Sequence, residues 1–317
     1  MTPVADTRPL RHWLHSAGRP HLVICCAEHD APAAWSGAVV APGSEHAVVQ
    51  LATCVSRVPP AALLELVAGG AAGITVALDG CAEPGETEDV VARTGAFLRA
   101  LGRPENVVSD RAAPVERTPH AAWPILGENA VPVSRRSLFG RPDGLRLVEP
   151  SENPTDRMVV VLRELADGDG PWTELDALPT RVPRFTASRC AGSGACARTC
   201  PEEALTLTRT VLAEASGDQD AMAQFQLSFE ASRCTGCGQC LQICPESALQ
   251  RSGEQVWSSL LAGTSVGLRV GLIRRCARCG TGHGRSGDLC AVCAFRAANP
   301  FGSAMPPGFP ALSGRSS

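Results

Sequence analysis

The feature that most constrains this chain is a run of four cysteines with short, fixed spacings. The run reads C-x2-C-x2-C-x3-C-P and comprises Cys234, Cys237, Cys240 and Cys244, followed by Pro245. Three thiolates on one tight, glycine-containing loop can hold three irons of a cubane, and the fourth thiolate then points to a second cluster. The run therefore predicts a [4Fe–4S] cluster and demands further ligands elsewhere in the chain.

An altered copy of this run precedes it. Cys190, Cys196 and Cys200 keep the spacing and Pro201 follows them, but Ser193 stands at the second cysteine position. Both copies open with Ser-Arg-Cys and close with Pro-Glu-x-Ala-Leu. This duplication, over about residues 184–250, resembles the two-cluster bacterial ferredoxins, and the resemblance implies a βαβ-βαβ fold.

The resemblance also implies the ligands of two clusters. Cluster B takes four cysteines: Cys200, Cys234, Cys237 and Cys240. Cluster A takes three cysteines and a serine: Cys190, Ser193, Cys196 and Cys244. Because an alkoxide is a harder ligand than a thiolate, it holds an iron–sulfur corner less well. Three states of cluster A stay open: [3Fe–4S], [4Fe–4S] with Ser193 or water at the corner, and no cluster, with vestigial cysteines.

The first third of the chain alternates short apolar runs with helical patterns. The patterns predict strands over 21–26, 47–53, 73–78 and 107–109 and helices over 59–68 and 88–101, the latter capped by Thr87. This alternation predicts an α/β domain with a small parallel sheet. Open parallel sheets bind ligands at the carboxyl ends of their strands. Cys26, Cys54 and Cys81 fall at three such ends and are expected to converge, unless they are buried structural residues. His29 and Cys25 are the candidates for a fourth ligand.

With these elements placed, the first third resembles the delta (iron–sulfur) subunit of the methyl-viologen-reducing hydrogenases. The matching stretches are 23–26, 49–59, 73–85 and 89–101, within residues 20–112. The resemblance implies a [2Fe–2S] cluster on Cys26, Cys54 and Cys81. It also implies electron transfer between a hydrogenase or formate dehydrogenase and a flavin-containing, heterodisulfide-reductase-like subunit. The chain departs from the family's cysteine pattern at His29 and again at Glu86-Thr87.

Two C-x2-C pairs near the end of the chain form a third group of cysteines. They are Cys276, Cys279, Cys290 and Cys293, with a polar, glycine-rich spacer between the pairs. Four thiolates in two such pairs suit tetrahedral zinc, and a third iron–sulfur centre is the alternative. We therefore expect a small zinc-ribbon-like tail.

The predicted organisation has four parts. An α/β domain occupies 1–115, and a Pro- and Arg-rich linker with one short helix near 154–165 occupies 116–182. A ferredoxin-like α+β domain follows over 183–252, and the zinc-ribbon-like tail covers 253–317, with a disordered end after 299. Within the third part, 225–230 alternates like an edge strand, and the long stretch between Cys200 and Cys234 predicts an extra hairpin or loop.

Charge and composition exclude several classes of function. A net charge of −3 argues against nucleic acid as the main partner, and no apolar run is long enough to span a membrane. An odd count of 15 cysteines without an export signal argues against disulfides and favours the cytoplasm. The pair Arg135-Arg136 resembles a twin-arginine signal but lies far from the N-terminus, so we expect an internal loop or a partner contact.

These observations predict a cytoplasmic electron-transfer subunit of an oxidoreductase complex, with protein redox partners and no catalytic residues of its own. No dinucleotide fingerprint, phosphate loop or nucleophile–base set is present in the sequence. Two alternatives remain. One is an iron–sulfur redox sensor in which cluster A is labile. The other is an enzyme that uses an open iron corner at Ser193 as a Lewis acid.

Overall fold

The computed structural model describes residues 6–29, 31–36, 46–112, 125–127, 130–131, 151–166, 172–212 and 223–300. The chain divides into two compact units, Met1–Leu178 and Pro179–Ser317. None of the helices in the described ranges is long and apolar enough to cross a membrane. The predictions for Arg135-Arg136 and for most of the C-terminal end fall outside the described residues.

A parallel sheet forms the centre of the first unit. Its strands are β1 (His21–Cys25), β2 (His46–Gln50), β3 (Gly73–Ala77), β4 (Val107–Asp110) and β5 (Leu126–Gly127). They lie in the order β4-β3-β1-β2-β5, and every neighbouring pair is parallel. β1 and β3 are buried along their whole length, as expected when both faces of a sheet are covered. The predicted parallel sheet is confirmed, and β5, too short to show a periodicity, adds a strand.

Four helices are described in this unit: α1 (Arg8–Ser16), α2 (Pro60–Ala68), α3 (Pro84–Ala100) and α4 (Pro154–Leu165). α3 begins earlier than the sequence pattern predicted, because Pro84 occupies its first turn, where a missing N–H costs nothing. Thr87 therefore lies inside the first turn and does not cap the helix.

A buried ion pair joins α4 to α2. Nε and Nη2 of Arg157 donate to the Glu65 carboxylate at 2.7 and 2.6 Å, and Thr7 also donates to it. Breaking a pair buried this deeply typically costs about 3–5 kcal/mol, because the remaining charge loses its partner. The helix predicted over 154–165 lies in the first unit, Met1–Leu178.

The second unit contains two antiparallel sheets. Its strands are β6 (Pro183–Thr186), β7 (Leu205–Val211), β8 (Ala223–Glu230), β9 (Gln250–Glu254), β10 (Ser265–Arg275) and β11 (Gly282–His283). β6 pairs with β9, and the other four form a sheet in the order β11-β10-β8-β7. The described helices are α5 (Ala195–Thr199), α6 (Gln239–Gln242), α7 (Trp257–Ala262) and α8 (Ala291–Ala298).

The segment predicted to be an edge strand lies inside its sheet. β8 pairs with β7 on one side and with β10 on the other. Phe225, Leu227 and Phe229 alternate along one buried face of β8, which is the pattern that the sequence showed. Alternation identifies the buried face of a strand but not its neighbours. β10 lies in the segment predicted to be the C-terminal tail, and it pairs with β8 of the predicted ferredoxin-like domain.

Candidate iron–sulfur and metal sites

The two cysteine-rich repeats share one loop conformation. Four glycines have φ angles of 70° to 74°: Gly192, Gly194, Gly236 and Gly238. L-residues with a Cβ rarely adopt this left-handed backbone, whereas glycine adopts it at little cost. Each loop therefore turns twice within a few residues, with Ser193 between the two turns of the first repeat and Cys237 between those of the second.

Backbone N–H groups donate to sulfur at matching positions of both repeats. Gly192 donates to Cys190 Sγ at 3.5 Å, and Gly236 donates to Cys234 Sγ at 3.4 Å. At the other end of the repeats, the acceptors are Cys200 Sγ and Cys244 Sγ, both at 3.3 Å. Donors of this kind stabilise a thiolate and tune the potential of a cluster bound to it.

The thiols gather in two groups. Group A comprises Cys190, Cys196 and Cys244, and group B comprises Cys200, Cys234, Cys237 and Cys240. Within group A, burial raises the pKa of Cys196 to about 11, helped by the other two thiols. Within group B, burial raises the pKa of Cys240 to about 12, and the other members add to the effect.

The two groups meet at one pair of cysteines. Cys196 is among the charges that raise the pKa of Cys240, although it belongs to the other group. Both residues are buried, with 7% and 8% of their surface exposed. They occupy the third ligand position of the two repeats and lie on α5 and α6, which pack against each other. One cysteine from each group is therefore shielded from water.

Arginines surround the loop of group A, and the sequence reasoning missed them. Arg198 donates to the Ser193 carbonyl oxygen at 3.1 Å, and Arg209 donates to that of Gly192 at 3.1 Å. Burial raises the pKa of Cys190, whereas the positive charge of Arg269 lowers it. Arg269 lies on β10, outside the duplicated segment, so no motif pointed to it.

The four C-terminal cysteines converge on one point. Their sulfur atoms all lie within 4.8 Å of one another: Cys276, Cys279, Cys290 and Cys293. Sγ of Cys279 is 3.7 Å from Sγ of Cys290. The backbone N–H of Cys290 donates to Cys276 Sγ and lowers the pKa of that thiol to about 6. The set can therefore present thiolates to a single metal ion.

The three N-terminal thiols lie near one another, in the loops that follow β1, β2 and β3, but are less closely gathered than the C-terminal four. Burial raises the pKa of Cys26, and the nearby Cys54 and Cys81 thiols raise it further. The hydroxyl of Thr87, which is 1% exposed, lies 3.6 Å from Cys81 Sγ and 4.0 Å from Cys54 Sγ. The helical pattern predicted only a capping role for Thr87, although it lies where the resembling family has a further cysteine.

Neither candidate for a fourth ligand joins these thiols. The Nε2–H of His29 donates to Asp79 at 2.9 Å, and its Nδ1 accepts from the Ala31 N–H at 3.2 Å. With both ring nitrogens engaged, His29 has no lone pair left for a metal, so the structure does not support it as a ligand. Cys25 is fully buried among core residues that include Trp35. Burial raises the pKa of Cys25 to about 12.

Comparison with known protein families identifies one domain. Residues 189–248 match the 4Fe–4S dicluster domain, and this segment contains every cysteine of groups A and B. No curated protein matches the chain. The second unit thus carries an iron–sulfur domain of the ferredoxin type, whose clusters typically transfer electrons.

Proposed function

We propose that this chain relays single electrons between protein partners through iron–sulfur clusters held by groups A and B. The observation that carries the proposal is the match of residues 189–248, which contain all seven cysteines of groups A and B, to the 4Fe–4S dicluster domain. Bound clusters supply one-electron chemistry. The chain contributes the thiolates, the N–H donors to sulfur and two buried cysteines, Cys196 and Cys240, on helices that pack against each other.

The cysteines of groups A and B fit such clusters in number and arrangement. Group B offers four thiols, which is a complete ligand set for a cubane. Group A offers three thiols, and Ser193 takes the position of the missing one. We propose [4Fe–4S] for group B and either [3Fe–4S] or [4Fe–4S] for group A.

The N-terminal thiols add a further centre to this proposal. Cys26, Cys54 and Cys81 would hold a [2Fe–2S] cluster, as the resemblance to hydrogenase delta subunits implies. The partners would then be a flavoprotein and a subunit of a hydrogenase, formate dehydrogenase or heterodisulfide-reductase-like complex in the cytoplasm. A neighbouring gene for such a partner would support this assignment.

We assign the C-terminal cysteines to one structural zinc ion in a ribbon-like tail. With Zn–S bonds of about 2.3 Å, a tetrahedral site has sulfur atoms about 3.8 Å apart. The 3.7 Å between the sulfurs of Cys279 and Cys290 supports such a site. Thiolates on different irons of a cubane lie farther apart than the edge of one tetrahedron, so a single ion suits the set better than a cluster.

Metal analysis and spectroscopy test the relay. Anaerobically purified chain should contain about eight irons in groups A and B, or about seven if cluster A is [3Fe–4S], about two in the N-terminal centre, and one zinc. Electron paramagnetic resonance of the reduced protein should show two magnetically interacting clusters. The protein could contain all of these clusters and still transfer no electrons between them or to a flavoprotein. That result would overturn the proposal.

Ser193 favours a redox sensor as the second candidate. A corner without a thiolate gives up its iron more readily, so oxidant could change the state of cluster A reversibly. A sensor should change its affinity for a partner when cluster A loses iron. A relay subunit should keep the partner bound and change only its rate of electron transfer.

A further inference from the structure

The last described part of the second unit is strongly basic. Residues 265–300 contain a single acidic residue, Asp288. They also contain six arginines, all of them exposed: Arg269, Arg274, Arg275, Arg278, Arg285 and Arg296. No carboxylate in the part of the chain that the structure describes pairs with these arginines. The whole chain has a net charge of −3, so this segment concentrates positive charge against the balance of the sequence.

Four of the arginines lie on one hairpin. β10 pairs with β11, and the stretch from Arg274 to Arg285 spans this pairing without an acidic residue. Four thiolates around one divalent ion would carry two negative charges, which two arginines balance. The six arginines therefore exceed what the proposed zinc site and Asp288 together neutralise. The excess charge faces solvent, where it attracts partners of the opposite sign.

An apolar row on β10 leads into these arginines. Alternate residues of a strand share a face, so Val270, Leu272 and Arg274 lie on the same side of the sheet. Val270 and Leu272 are 51% and 50% exposed. They lie directly opposite Gln226 and Gln224 of β8, on the face away from the buried aromatic residues of that strand. Exposed apolar residues next to unpaired charge are typical of a protein-binding surface with an apolar centre and a polar rim.

We propose that Val270, Leu272 and the hairpin arginines form a docking surface, the arginine surface, for an acidic protein partner of the electron relay. The inference rests on the proposed function, because it assigns a surface and a charge to one of the redox partners. The strand that carries this surface also packs on the loop of group A. A Cβ at Gly192 would lie 2.9 Å from Cγ2 of Ile273 on β10. A partner bound to β10 would therefore lie close to group A.

A nucleic acid would also match the charge, but it fits the surface less well. Proteins that bind single strands stack the bases on aromatic side chains. The large hydrophobic residues exposed on β10 and α8 are all aliphatic: Val266, Val270, Leu272 and Val292. An aliphatic row suits the apolar centre of a protein interface, and the arginines around it suit carboxylates at its rim.

Peptide binding to the full chain, purified anaerobically with its metals, tests the inference. The probe is a short fluorescent peptide of alternating glutamate and valine, and a matched peptide carries lysine in place of glutamate. We expect fluorescence anisotropy to show binding of the acidic peptide and none of the lysine peptide. Binding should weaken several-fold between low and high salt, since salt screens exposed charges. A third peptide, of glutamate and serine, should bind less tightly because it lacks the apolar side chains.

Charge-matched variants locate the binding. Arg274→Gln combined with Arg275→Gln removes two charges from the arginine surface, and it should weaken binding of the acidic peptide roughly fivefold. Arg184→Gln combined with Arg251→Gln removes the same charge from the β6–β9 sheet of the same unit, and it should change binding less than about twofold. The iron and zinc contents of both variants should equal those of the unaltered chain.

A second pair of substitutions tests the apolar row. Val270→Thr combined with Leu272→Thr keeps residues that favour a strand and removes apolar surface. Binding of the glutamate–valine peptide should weaken several-fold, whereas its salt dependence should stay the same. Binding of the glutamate–serine peptide should not change, because that peptide makes no apolar contact.

Four results would overturn the inference. If both arginine pairs weaken binding equally, the peptide responds only to the net charge of the unit. An oligonucleotide of equal charge that binds more tightly than the peptide would make nucleic acid the occupant. Self-association that Arg274→Gln with Arg275→Gln abolishes would make the occupant a second copy of the chain. A chain with all its clusters that binds no acidic peptide would refute this inference alone, whereas a chain without clusters would refute the proposed relay.

Discussion

The two cysteine-rich repeats have the same backbone and different surroundings. Each bends at paired glycines with positive φ, and each presents matching N–H donors to its first and last thiols. Even Glu203 and Ser247, at equivalent positions after the last cysteines, share a positive φ. The loop conformation is thus preserved although one repeat has lost a thiol, so Ser193 alters the ligand set without altering its scaffold.

The surroundings differ mainly in charge and packing. Arg198 and Arg209 donate to the group A loop, and Arg269 lies near Cys190. At Cys234 in group B, burial raises the pKa and the further influences come from Gly236 and neighbouring thiols. The first repeat thus keeps the loop conformation of the second and differs from it in the charges around its thiols. Four experiments test whether the two repeats also differ as cluster sites.

The largest effect is expected from removing the cysteine at the third ligand position of each repeat, Cys196 or Cys240. Cys240→Ala should remove about four irons and Cys196→Ala about three or four, because each substitution deletes a buried ligand of one cluster. Iron and sulfide analysis with electron paramagnetic resonance would measure which cluster survives. If both substitutions emptied both sites, the two repeats would not act as separate ligand sets.

Ser193 and Cys237 occupy the second ligand position of the two repeats. Exchanging serine and cysteine there should give each repeat the iron-binding behaviour of the other. Ser193→Cys should raise the iron content by about one if cluster A is [3Fe–4S], and Cys237→Ser should make cluster B lose an iron on mild oxidation. Oxidant titration of the iron content, with the unaltered chain beside each variant, measures the change. An unchanged iron content and spectrum in both variants would mean that this position does not ligate.

Features of the fold and of the candidate sites could be predicted from the sequence where they depend on residues close together in the chain. The duplicated cysteine spacing predicted the iron–sulfur domain that residues 189–248 match, and alternating patterns predicted the parallel sheet. Helix α4 was also predicted, but its place in the first unit was not, because Arg157 and Glu65 lie far apart in the sequence. For the same reason, the sequence did not indicate that Arg269 lies near Cys190 or that Thr87 lies beside Cys54. His29 was overestimated, since its hydrogen bond to Asp79 has no sequence signature.

A smaller effect should distinguish the packing of equivalent glycines. A Cβ at Gly194 would lie 3.0 Å from Leu207 Cδ2, whereas a Cβ at Gly238 would meet nothing within 4 Å. Both have positive φ, so alanine costs about 1–2 kcal/mol at each from backbone strain. Gly194→Ala should therefore lower the free energy of unfolding by roughly 1 kcal/mol more than Gly238→Ala. Anaerobic urea titration measures both, and equal losses would contradict the packing difference.

The smallest expected effect concerns the charge beside cluster A. Arg269 lowers the pKa of Cys190, so its positive charge stabilises negative charge at that thiol. Reduction makes a cluster more negative, and Arg269→Gln should therefore lower the potential of cluster A by roughly 10–40 mV at low salt. Cluster B in the same molecule is the internal reference and should shift less. Because Arg269 is exposed, salt should shrink the difference, and an equal shift of both clusters would show that the charge acts on the whole unit.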